Sequence, residues 1–133
     1  MSTAPAWAAP YVGLPFADHG RGPAFDCWGL ARKVLDERFG RLLPDYGCDY
    51  IATADRGSVP EAIESGLRAG WRRVEQAQGG DLVVFRIFGR CMHVGLLLER
   101  PWFLHTQEGA CSTVERLDAA VWARRIEGFY RYG

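Results

Sequence analysis

Between Asp26 and Gly40 the apolar residues fall at Cys27, Leu30, Ala31, Val34, Leu35 and Phe39, the spacing of one helix face. Arg32, Lys33, Asp36 and Glu37 occupy the opposite face. Both ends carry boundary signals: Asp26 is a good N-cap residue, and Gly40 sits where a C-terminal cap belongs. Cys27 is then the first helical residue, where free N–H groups and the positive end of the helix dipole favour a thiolate over a thiol. A thiolate attacks carbonyl carbon, so the position suits a nucleophile. Asp26 opposes this as a neighbouring negative charge unless its carboxylate is occupied in capping. The ordinary alternative is a buried core cysteine at the head of an apolar stripe. The loop through Gly20, Gly22 and Pro23, a connection that leaves the helix start accessible, argues for the nucleophile.

Downstream the period changes. Leu82-Val83-Val84-Phe85 is a short, fully apolar strand; His93-Val94-Gly95-Leu96-Leu97-Leu98 is a second and Trp102-Phe103-Leu104-His105-Thr106 a third, with Arg100-Pro101 supplying the turn between the last two. Ser112 to Arg116 reads as a fourth strand, Leu117 to Trp122 as a short helix and Ile126 to Tyr132 as a final strand. Upstream, Ser58-Val59-Pro60-Glu61 has capping-box spacing and opens a second helix, with Ile63 and Leu67 inward and Gly70 closing it. Helices first and a strand meander afterwards predict an α+β domain with an antiparallel sheet. At 133 residues the chain is one domain, with residues 1–10, rich in Ala and Pro, expected as a loose arm.

A formal net charge of zero supplies no overall field towards nucleic acid or an anionic membrane, so neither is expected as a partner. No apolar run reaches the length of a membrane span. Cysteines 27, 48, 91 and 111 could form two disulfides in a secreted protein. Residues 1–10 show neither a basic segment nor a long apolar core, so no signal peptide is visible; four free thiols in a protein made in the cytoplasm are expected.

His93 and His105 flank a hairpin turn. A pairing centred on Glu99 makes them direct partners on one face, whereas a turn at Arg100-Pro101 shifts the register and breaks that pairing. With Cys27 they supply a nucleophile, a base and a group to orient the base. The competing arrangement is a tetrahedral zinc site from Cys91, His93, His105 and Cys111, whose spacing matches no zinc motif.

Phe25-Asp26-Cys27-Trp28-Gly29-Leu30, then Gly79-Gly80-Asp81-Leu82-Val83-Val84-Phe85, then His93-Val94-Gly95-Leu96 and Leu104-His105 follow in order. This succession, from about Tyr11 to Thr106, resembles the NlpC-type peptidases, a papain-like group that cleaves bacterial cell-wall stem peptides. The resemblance implies a papain-like α+β core with N-terminal helices packed on an antiparallel sheet. It implies Cys27 as nucleophile, His93 as general base and His105 as the residue orienting it, with no metal or cofactor. Trp28, Leu43-Pro44-Asp45-Tyr46 and the closing Gly128-Phe129-Tyr130-Arg131 are similar to small tail-associated peptidases of phages and gene-transfer agents. That similarity implies other tail or tail-tip proteins as partners and a phage-like particle as location, which agrees with the expected lack of a signal peptide. The alternative is a tail assembly or binding component that keeps the fold with little turnover.

Two positions depart from the family pattern. Phe16 stands near where the family carries a tyrosine that helps bind the developing oxyanion, and phenylalanine has no hydroxyl. Tyr11, His19, Arg21 or the Cys27 backbone N–H is left to donate, with Trp28 a further candidate for the substrate or oxyanion region. A lost oxyanion donor costs about 100- to 1000-fold in rate. Gly79 replaces the proline usual before Gly-Asp, a change in turn stiffness.

Overall fold

The computed structural model describes residues 4–17, 20, 22–43, 70–87, 90–107 and 109–132. Helix α1 runs Cys27–Phe39, and the strands are β1 (Trp71–Val74), β2 (Leu82–Ile87), β3 (Arg90–Glu99), β4 (Trp102–His105), β5 (Thr113–Arg116) and β6 (Ile126–Tyr132). All pairings are antiparallel, in one six-stranded sheet of order β1-β6-β2-β3-β4-β5. This is the expected α+β architecture.

Helix α1 begins and ends where its sequence signals lie. The Asp26 carboxylate accepts from the Gly29 N–H at 2.7 Å, and Gly40 adopts φ +64° while its N–H donates to the Leu35 carbonyl. Leu30, Ala31, Val34 and Leu35 are buried against the even-numbered residues of the sheet, Leu82, Val84, Val94, Leu96, Leu98 and Leu104. The odd-numbered residues, Val83, Phe85, Leu97 and Phe103, form a second core with Leu117 and Trp122. Side chains alternate along a strand, so these are the sheet's two faces. With both covered, β2 and β3 have no polar face, which is why they read as continuous apolar runs.

The turn into β2 is shaped by close approach. A Cβ on Gly79 would stand 2.5 Å from the Leu98 carbonyl oxygen, so no side chain fits there. Beyond it Asp81, fully buried, accepts from Arg131 Nε and Nη2 at 2.7 and 2.8 Å and from the Gln78 N–H at 2.8 Å.

Three parts differ from expectation. The loose arm is, from Ala6 to Tyr11, a 3-10 helix docked on α1. Its Trp7 ring meets Phe39 edge-on at 5.8 Å and lies under the Arg38 guanidinium, and Tyr11 donates to Glu37 Oε1 at 2.8 Å. Strand β1 was not expected, because Arg72 and Arg73 hide its alternation; its Arg73 pairs across to Glu127 on β6 at 2.6 Å. The short helix occupies only Ala120–Ala123. The predicted second helix from Ser58 and the Pro44-Asp45-Tyr46 break lie outside the described residues.

Arg131→Met leaves the Asp81 carboxylate buried without its partner and is expected to cost about 3 kcal/mol in urea unfolding. Asp81→Asn combined with Arg131→Met recovers part of that loss. A single variant as stable as wild type would show that Arg131 is not what compensates the buried charge.

Candidate active site

The site forms where β4 stops pairing with β3. Leu97 faces Phe103 and Leu96 faces Leu104, so the hairpin is centred on Arg100 and not on Glu99. Carried one step further, this register sets His105 beside Gly95, two places from His93. Two residues is the strand period, so the shift expected from the Arg100-Pro101 turn breaks the direct pairing yet keeps both histidines on one face. As diagonal neighbours they are within side-chain reach. His93 Nε2 lies 2.8 Å from His105 Nδ1.

Gly95 makes room for this. A Cβ there would come within 2.8 Å of Phe103 Cδ2, and the Phe103 ring packs on His105 at 4.8 Å. Phe85 stacks on His93 at 5.7 Å, and Trp122 covers both imidazoles, at 6.0 Å from His93 and 4.9 Å from His105. The two rings are almost wholly enclosed. Burial, with the neighbouring His105 second, pushes the His93 pKa from 6.5 down to about 3, so its resting form is neutral. Burial also lowers His105, against the opposing pull of Glu115.

Cys27 heads α1, which packs on the other face of the sheet. Leu97 directs its backbone to β2, donating to the Asp81 carbonyl and accepting from the Gly80 N–H. Alternate residues of β3 therefore direct theirs to β4, and Val94 is one of them. Strand β4 ends at His105, and the Val94 N–H, which points to that side, lies close enough to the Cys27 thiol to lower its pKa. The backbone N–H groups of Val94, Trp28 and Cys27 each favour the thiolate.

These N–H groups pull the thiol pKa down, as the helix N-terminus was expected to do, but they are outweighed. Although the residue as a whole stays partly exposed, enclosure of the sulfur first and the Asp26 charge second push it up to about 12. Asp26 is itself wholly buried, so its negative charge is not screened even though one oxygen is engaged in capping. The resting thiol and the resting imidazole are both uncharged.

Of the other predicted residues, Tyr11 is committed elsewhere: its hydroxyl donates to Glu37, near the far end of α1. Phe16 pairs through its backbone with Phe25, two residues before Cys27, and offers no hydroxyl. Trp28 turns into the core against Trp71 at 5.9 Å. His19, Arg21 and Cys48 lie outside the described residues. Cys111 is exposed, and among the described residues no group of three His, Cys, Asp or Glu side chains is placed to hold a metal ion. No helix among them is long and apolar enough to cross a membrane.

One residue escaped the sequence reading. Glu115 Oε2 lies 2.5 Å from His105 Nε2, at the end of a line running His93, His105, Glu115. Thr113 opposes His105 across the β4–β5 ladder, and Glu115 is the next residue on that face. Alternation from a known β4–β5 register would have found it.

Residues 13–131 match the model of the NlpC/P60 family, and the chain belongs to that family. Among solved structures it resembles the NlpC/p60 domain of the peptidoglycan hydrolase SagA, at 28% identity and TM-score 0.60 over 96% of this chain and 94% of that one. A lipoprotein-like NLP/P60 protein of Staphylococcus aureus is 26% identical, TM-score 0.64, over 94% of this chain. The chain spans only 38% of the length of that protein. An NlpC/P60 family protein of Bacillus cereus shares the fold at TM-score 0.67 and 22% identity, over 98% of this chain and 41% of its own. No functionally curated protein matches.

The buried neutral His93 has a consequence for stability. Between pH 6.5 and about 3 the unfolded chain binds a proton at this side chain that the folded chain does not, so stability falls as pH drops through that window. From about pH 7 to about pH 4 the loss attributable to His93 is about 3 kcal/mol. His93→Gln, which cannot take up that proton, is expected to show a smaller drop in urea midpoint over the same interval. Parallel curves for the two proteins would refute the assignment.

Proposed function

We propose that this protein is a cysteine peptidase that hydrolyses amide bonds in peptidoglycan stem peptides. Cys27 is the nucleophile, His93 the general base, and His105 orients His93. The observation that carries this reading is the imidazole pair, His93 Nε2 lying 2.8 Å from His105 Nδ1, next to Val94, whose N–H lies close enough to the Cys27 thiol to lower its pKa. Membership of the NlpC/P60 family and the likeness to the domain of a peptidoglycan hydrolase support a cell-wall peptide as substrate.

The chemistry follows from two uncharged partners. As the sulfur attacks the scissile carbonyl carbon, its proton passes to His93 Nδ1, the ring nitrogen not engaged with His105. The carbonyl oxygen becomes an oxyanion, met by the backbone N–H of Cys27 at the helix start. Collapse expels the amine, which takes the proton from His93, and leaves a thioester on Cys27. Water, deprotonated by His93, then releases the acid and the thiol. Because charge separates only during attack, the aromatic enclosure stabilises the resting state without fixing an ion pair in advance.

The peptidase acts from a phage-like particle, carried with other tail proteins. Support for this lies in Trp28, Leu43-Pro44-Asp45-Tyr46 and Gly128-Phe129-Tyr130-Arg131, which are similar to tail-associated peptidases. A second reading, a tail component that binds or assembles with little turnover, is favoured by one observation: Phe16 lacks a hydroxyl and that of Tyr11 is engaged by Glu37.

Digestion of purified peptidoglycan tests the enzyme. Cys27→Ala and His93→Ala are expected to reduce product release to background, and His105→Ala to lower it by about 100-fold. His105→Asn retains more, since an amide can still hydrogen-bond the imidazole. Phe16→Tyr raises turnover if an oxyanion donor is what is missing. No digestion by wild type or Phe16→Tyr, with intact folding, would favour the binding role.

In particles, Cys27→Ala is expected to leave tail number and shape unchanged by electron microscopy while abolishing delivery into cells. Normal delivery would refute an entry enzyme, and misshapen tails would point to assembly.

A further inference from the structure

Glu115 is not among the residues that perform the proposed reaction, yet it closes the hydrogen-bonded line behind them. We infer that Glu115 is a positioning residue that sets the direction of every hydrogen bond in the His93–His105 pair, and so keeps His93 Nδ1 free of a proton and ready to act as base. The inference rests on the peptidase reading for its purpose and on geometry for its content.

The two imidazoles by themselves do not choose a direction. Each neutral ring has one N–H donor and one bare acceptor nitrogen, and either tautomer satisfies a single contact between them. With His93 Nε2 and His105 Nδ1 at 2.8 Å, the proton in that contact can sit on either nitrogen. If it sits on His105, His93 accepts through Nε2, carries its own proton on Nδ1 and cannot receive one from a thiol.

A carboxylate removes the choice, because it only accepts. Glu115 Oε2 is 2.5 Å from His105 Nε2, so that nitrogen must donate. His105, kept neutral by its enclosure, then has a bare Nδ1, which must accept. His93 Nε2 is therefore the donor in the contact between the rings, and its Nδ1 is bare. The order is fixed from Glu115 inward, across two buried rings. Glu115 can do this while 37% of its side chain stays exposed, because its task is to accept from His105 and not to enter the site.

The test is the tautomeric state, read by NMR of protein with 15N-labelled histidine at neutral pH. In wild type both His93 and His105 are expected to show protonated Nε2 and bare Nδ1. In Glu115→Ala and Glu115→Gln, where the terminal acceptor is absent or can also donate, both rings are expected to give averaged shifts from mixed tautomers. Peptidoglycan turnover should fall about 10-fold in kcat with KM and the unfolding midpoint unchanged. Wild-type Nδ1–H on His93, or unchanged ring shifts in both variants, would overturn the inference. The NMR result does not depend on hydrolysis, so an inactive wild type with the expected tautomers would fault the peptidase reading and leave this one standing.

Discussion

The candidate site depends on β3 outlasting its neighbour. Strand β4 pairs with β3 from Glu99 back to Leu96 and ends at His105, so the Val94 N–H faces a gap. That N–H lies close enough to the thiol at the head of α1 to lower its pKa. The helix packs on the even-numbered face and the imidazoles project from the odd-numbered face. On the proposed reading, thiol and histidine meet at this gap. The short Arg100-Pro101 turn and the missing side chain of Gly95, against which Phe103 and Val83 pack, serve the same end, by bringing His105 in beside His93.

Enclosure sets the electrostatics. Phe85, Phe103 and Trp122 exclude water from both rings, which lowers the basicity of His93, while burial and Asp26 raise the thiol. A helix N-terminus contributes fixed partial charge, but here the nearest full charge belongs to its own capping residue. Asp26 stabilises the helix by accepting from Gly29 and opposes the thiolate one residue away. The cap and the nucleophile thus make opposite demands on one carboxylate, and the cap's demand prevails in the resting protein.

Much of this was legible in the chain. The boundaries of α1 followed from Asp26 and Gly40 because caps are local chemistry. The strands from Leu82 to His105 followed from apolar runs bounded by glycine and proline, although buried faces on both sides concealed which residues point where. The register of the hairpin did not follow, since it depends on which residue the turn centres on. The two-residue shift still preserved the shared face, a consequence of strand period and not of the turn. Strand β1 and the docked 3-10 helix were hidden because their partners, Glu127 and Tyr130 for Arg73 and Phe39 and Arg38 for Trp7, lie far off in sequence. The thiol's upward shift was hidden for a related reason: the dipole is local, whereas burial is a property of the whole fold.

A histidine in the orienting position carries a cost that an amide does not. An amide has a fixed donor end and a fixed acceptor end, so once seated it dictates which way a neighbouring imidazole must bond. An imidazole takes its polarity from its tautomer, which something else must decide. Two buried histidines in contact therefore form a pair with two nearly equivalent arrangements, only one of which leaves His93 Nδ1 without a proton. The geometry beside His105 offers the means of deciding, a carboxylate on the adjacent strand in register with the same face. On this view β5 serves the site through Glu115 alone, whose carboxylate meets His105 Nε2, and the strand matters there for a proton's position.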